Sequence, residues 1–114
     1  MSVYHVFLTY RDVWGDDWQL LQYDIPSIDD LREQFIDPIQ DGRVFKVQSN
    51  AIIPSNILRL HIYRSVCFYA KIRLPGEHGP LDESHEYVQR LFESGLIEGV
   101  EPCTSQFLST NALK

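Results

Sequence analysis

Cysteine is scarce in this 114-residue chain: Cys67 and Cys103 are the only two, too few for a disulfide framework and without the spacing of a metal-ligand set. Long apolar runs are missing as well. Nothing approaches the roughly 20 residues a bilayer-spanning helix needs, and the polar N-terminal stretch lacks the pattern of a secretory signal. Bases are in the minority, 10 against 16 acids, and the resulting net charge of −6 disfavours general nucleic-acid binding, which usually comes with a basic domain. The six glycines are scattered, so no phosphate-cradling loop is present. What remains is 44% hydrophobic and 12% aromatic, which excludes a disordered segment and suits one domain, residues 1–114, with a core of its own. Unbridged thiols fit a cytoplasmic setting.

The net charge hides a segregation. Residues 12–41 hold nine acids against Arg32, residues 43–73 hold six bases and no acid, and residues 77–101 return to seven acids against Arg90. One explanation is internal: acidic helices pack near a basic sheet and give partly screened pairing. The other is that the basic stretch faces a partner or an anion.

Residues 3–10 (VYHVFLTY) are β-branched and aromatic, and residues 18–25 (WQLLQYDI) read as a second strand. Between them RDVWGDD supplies the Gly and Asp chemistry of a hairpin turn. Ser27 opens a helix by capping the amide of Asp30, and Ile28, Leu31, Phe35, Ile36 and Ile39 recur on one helical face. Pro38 disfavours helical geometry at Asp37, so regular helix is expected to stop near Ile36.

Residues 43–48 predict a third strand, Ser49–Asn50 a turn, and Ala51–Ile53 a short fourth. In residues 57–64 (ILRLHIYR) alternation turns Leu58, Leu60 and Ile62 inward and Arg59, His61 and Tyr63 outward. Residues 66–74 alternate again, with Phe68, Ala70, Ile72 and Leu74 inward and Tyr69, Lys71 and Arg73 outward. After a PGEHGP loop, Asp82 caps a second helix through Ser94, with Val88, Leu91 and Phe92 inward and Gly95 as its left-handed end. The class is therefore α+β: a mostly antiparallel sheet of four to five strands, one main helix across it in β-grasp-like order, and a second, C-terminal helix. A ferredoxin-like or otherwise split sheet is the competing arrangement. The expected core joins Leu20 or Leu21, Leu31, Phe35, Leu60, Ile62, Leu91 and Phe92.

Catalytic signals are weak. His78, Asp82, Glu83, His85 and Glu86 crowd one loop and helix start without the spacing that fixes a metal, and Glu86 to Arg90 is a plain i,i+4 pair, so neither metal nor cofactor is expected. Cys67 reads as a buried thiol and Cys103, after Pro102, as the accessible one. A Cys103 nucleophile with His61 or His85 can be written down, but no oxyanion signal accompanies it. Asp16–Asp17 and Asp29–Asp30 are turn and helix-start residues. The sharper constellation is a patch: if strands 57–64 and 66–74 pair as a hairpin, Arg59, His61, Tyr63, Tyr69, Lys71 and Arg73 share one face. Tyr and Arg are enriched in binding hot spots, and such a face also suits a small anionic ligand.

The run from Leu21 to Ser65 carries a skeleton: YDI, then Leu31, Phe35, Pro38, Gly42, Phe45, Val47, Ile53-x-Ser55, Ile57 and Leu60-x-Ile62. It resembles the small N-terminal module of bacterial multidomain proteins in which a TIR-like, nucleotide-binding or other effector domain follows and the whole is suspected of antiphage defence. GVEPCTSQFL is similar to that module's exit segment, a Gly-Val-Asp-Val-Thr type pattern, from which Glu101, Pro102 and Cys103 depart. The resemblance implies a non-catalytic sensing, regulatory or assembly module that binds a protein partner or an adjoining effector domain. The alternative is a stand-alone acidic inhibitor or toxin-immunity protein that turns residues 12–41 toward a basic enzyme.

Overall fold

A computed structural model of the chain describes residues 2–66, 68, 85–95, 97 and 99–107. Strands β1 (Val3–Arg11) and β2 (Asp17–Ile25) form the expected hairpin, because their residues suit a pleated surface and the loop between them suits a turn. β1 is apolar on both sides, and both its faces are covered. Strand β5 (Ile57–Ser65) pairs with its other edge, and β6 (Val100–Pro102) pairs with β5, so the antiparallel sheet runs β2-β1-β5-β6. Strands β3 (Phe45–Val47) and β4 (Asn50–Ile52) make a separate two-stranded ribbon.

Helix α1 covers one face of the sheet. It begins as α-helix at Ile28–Leu31, passes through a π-helical turn at Arg32–Ile36 and resumes as α-helix at Asp37–Asp41. Its start is the one read from the sequence: Ser27 Oγ accepts from the Asp30 amide at 3.1 Å. Its end is not. The helix continues past Pro38 to Gly42, whose left-handed backbone (φ +70°) ends it. The π turn explains this: the Asp37 amide reaches back to the Arg32 carbonyl, and Pro38 then stands second in the resumed α segment, where a missing N–H costs least.

Leu31, Phe35, Ile36 and Ile39 of α1 pack on Val6, Leu8, Leu20, Leu60 and Ile62, with Phe45, Val47 and Ile52 of the ribbon closing the side. On the opposite face, helix α2 (His85–Ser94) lays Phe92 on Phe7, Leu21 and Tyr63, with Leu91 half-buried beside them and Gly95 left-handed at its end (φ +74°). The expected core residues other than Leu91, which is half-buried, are therefore buried, but in two clusters separated by the sheet rather than one.

Register corrects three further expectations. Leu58 is exposed, because the pairing of β1 with β5 shifts between Thr9/Arg59 and Tyr10/Ile57 and this irregularity turns Ile57 inward instead. Phe68 is exposed rather than inward. The β3–β4 turn falls on Gln48 and Ser49, both with positive φ, one residue earlier than expected. Gln48 is held there by its side chain, whose Nε2 donates to the Leu21 carbonyl at 2.7 Å and to Gln22 Oε1 at 3.0 Å. The edge of β5 at Tyr63–Ser65, which a hairpin with residues 66–74 would use, is taken by β6. Of the strand expected over 66–74 only Val66 and Phe68 are described; Cys67, Tyr69, Lys71 and Arg73 lie outside the described residues.

Candidate binding groove

Arg59 and His61 do share a face, opposite α1, because they alternate with Leu60 and Ile62 along β5. The acidic helix α1 therefore does not cover them. The element on their side is α2, and between it and the sheet lies an open groove of about 370 Å³, lined by Thr9, Gln19, Arg59, His61, Gln89, Arg90 and Glu93. Arg59 stands opposite Thr9, and Thr9 opposite Gln19, so three neighbouring strands supply the floor. Arg59 is exposed and makes no ion pair among the described residues. His61 is half-exposed, lies 3.9 Å from Glu93 Oε1 and stacks on Tyr63 at 6.4 Å between ring centres.

Tyr63 belongs to the same face but is not a contact residue. It is 1% exposed, locked edge-on against Phe7 at 5.6 Å and Phe92 at 5.2 Å. Burial, with Glu93 nearby, raises its phenol pKa, so the ring serves as the groove's foundation. Arg90, Gln89 and Gln19 escaped the sequence reading. The first two sit on an element 30 residues along the chain, and nothing local to β5 signals that α2 docks there.

Two buried groups resemble catalytic machinery and are not arranged for it. His5, fully buried in β1, sits with Nε2 2.7 Å from Ser65 Oγ, while its Nδ1 accepts from the Asp24 amide at 3.2 Å. A neutral ring that accepts at Nδ1 carries its proton on Nε2, so it donates to the serine and cannot act as that serine's base. Burial, only partly opposed by Asp24, lowers the His5 pKa to about 4. A histidine inside an apolar strand was visible in VYHVFLTY.

Cys103, expected to be accessible, is 1% exposed, because its amide donates to the Ile62 carbonyl at 2.8 Å and its side chain joins the α1-side core. Thr104 Oγ1 accepts from the Ile62 amide at 2.7 Å and completes the clamp. Burial pushes the Cys103 thiol up to about 11, and the sheet separates it from His61. The side chains of the His78–Glu86 cluster, including the Glu86 partner of Arg90, lie outside the described residues.

A second cleft of about 280 Å³ opens between Ser2, Arg64, Val66, Gly99 and Glu101, but there Arg64 is already paired with Glu101. Among the described residues no helix is long and apolar enough to cross a membrane. The geometry defines a small α+β domain with helices on both faces of an antiparallel sheet. Comparison of the chain with protein-family models, with curated proteins and with solved structures finds no match.

Proposed function

We propose that this chain is a non-catalytic protein-interaction module of regulatory or assembly type that receives an acidic side chain of its partner in the β5–α2 groove. One observation carries the reading: Arg59 and His61 of the sheet and Arg90 of α2 converge on one open groove, and Arg59 has no counter-ion among the described residues. A guanidinium aimed into a half-enclosed polar groove favours a carboxylate or phosphate, and two of them beside an imidazole favour it further. Gln19, Gln89 and Thr9 supply neutral hydrogen-bonding groups around that charge, and the Glu93 carboxylate in the same lining lies beside His61 and leaves the two guanidinium groups in excess. The histidine and the thiol support a non-catalytic reading, since His5 is buried with both ring nitrogens engaged and Cys103 is buried in the α1-side core, away from the groove.

The skeleton from Leu21 to Ser65 supports placing the module in a bacterial, cytoplasmic defence-type protein, beside an effector domain. A reading frame that continues past Lys114 into such a domain is expected, whereas a stop there supports the acidic-inhibitor alternative. The direct test is a two-dimensional NMR titration of the isotope-labelled chain with a short Asp/Glu peptide and, separately, with inorganic phosphate. Shifts confined to Arg59, His61, Arg90 and their neighbours are expected with the peptide. Shifts only with phosphate would assign the groove to a free small anion, and shifts elsewhere on the surface would refute the groove.

A further inference from the structure

Where the sheet ends, at the β1–β2 turn, three large apolar side chains stand in solvent: Val13 at 75% exposure, Trp14 at 83% and Trp18 at 53%. Single exposed apolar residues are ordinary, but two exposed indoles and a valine within six residues of one turn are not. The turn that carries them is fixed. Asp12 Oδ1 accepts from the amides of Trp14 and Asp16 at 2.9 Å each, and Asp12 Oδ2 accepts from the Trp18 indole Nε1 at 2.6 Å. The Asp12 amide donates to the Asp16 carbonyl at 2.9 Å, which closes the loop. The indole of Trp18 is thus oriented by the same carboxylate that shapes the turn, and the surface is presented with little ordering left to do on contact.

The charge around these rings selects what they fit. Asp12, Asp16 and Asp17 lie in the same turn; Asp12 holds the Trp18 indole and Arg11 pairs with Asp17 at 2.9 Å, so the turn keeps an excess of acid over base. A lipid surface bearing anionic headgroups is repelled by such a rim. A cationic side chain is attracted to both the carboxylates and the electron-rich indole faces. We propose that the β1–β2 turn is a second docking surface, which takes a basic protein segment by laying an arginine or lysine on Trp14 and Trp18 inside the Asp12–Asp16–Asp17 rim. It is separate from the groove: the turn recognises positive charge, the groove negative.

The test uses the whole chain and a nona-arginine peptide as probe. The chain has two tryptophans, so an NMR spectrum resolves two indole N–H signals, and both are expected to move on titration. Trp14→Ala, at a side chain that packs on little, should leave the melting temperature unchanged and weaken the peptide by about tenfold or more. Asp29→Asn with Asp30→Asn, which removes two negative charges beyond the far end of β2 while Trp14→Ala removes none, should weaken it by no more than about twofold. Arg59→Ala should leave this binding unchanged even if it abolishes acidic-peptide binding, so failure of one surface is distinguishable from failure of the other. Equal loss from the α1 double variant and from Trp14→Ala, or unmoved indole signals with the peptide bound, would overturn the assignment in favour of diffuse electrostatics. Concentration-dependent indole shifts without any peptide would overturn it in favour of a second copy of the chain.

Discussion

Lowering the pH from 7 to 5 should strip about 2 kcal/mol from this fold through one residue, His5. The ring is fully buried in β1 between the Ser65 hydroxyl and the Asp24 amide and stays neutral in the native state, with its pKa brought down to about 4, against 6.5 for an ordinary histidine. Between those values the unfolded chain binds a proton the folded chain refuses, so stability rises with pH there and is lost as pH falls through 6.5 toward 4. At about 1.36 kcal/mol per pH unit, the 1.5 units from 6.5 to 5 give roughly 2 kcal/mol, and the full interval roughly 3. That is a large share of the roughly 5–15 kcal/mol that holds a domain together. Urea unfolding followed by far-UV circular dichroism, repeated at half-unit steps from pH 7.5 to 5, measures it, and His5→Leu isolates the residue from the other histidines. The variant should be less stable at pH 7, because it leaves Ser65 and the Asp24 amide without their ring partner, yet its stability should fall much less on acidification. Parallel pH profiles for the two proteins would refute the buried neutral ring.

Other consequences are as direct. Phe35→Ala, which empties the fully buried centre of the α1-side core, should cost about 3–5 kcal/mol in the same unfolding assay. Ser49→Gly should stabilise the fold by about 0.5–1 kcal/mol, because residue 49 adopts φ +71° and glycine takes that conformation without strain. In a Cys67→Ser background, Cys103 should react with a thiol reagent at pH 8 only after denaturation, since it is buried and its pKa is pushed up to about 11; prompt reaction of the native protein would contradict the clamp on Ile62.

What the sequence made legible is what acts locally. The Ser27 cap, the apolar spacing along residues 31–39 and the Leu60/Ile62 alternation each depend on neighbours within a turn or a strand, and each appears in place; Ile28, expected on the same helical face, is exposed in the first turn instead. Three misplacements involve a distant partner or a backbone irregularity. Leu58 turns outward because β1 and β5 slip by a residue, a choice made between strands 47 positions apart. Pro38 is tolerated because a π turn precedes it, and no side chain announces that turn. Cys103 is buried because Ile62, far back in the chain, captures its amide. The groove was half visible: alternation placed Arg59 and His61 on one face, but only the docking of Phe92 buries Tyr63 beneath them and brings Arg90 alongside.

The central claim, that the β5–α2 groove is a binding surface rather than a solvated sheet face, is tested most directly by one paired measurement on Arg59→Ala. Affinity for the Asp/Glu peptide and melting temperature are measured together on the variant and the native chain. Removal of an arginine that is exposed and unpaired among the described residues should weaken binding by about tenfold or more while leaving the melting temperature within about 1 °C. Unchanged affinity, or a fall in melting temperature with affinity intact, would contradict the account and make Arg59 a structural residue.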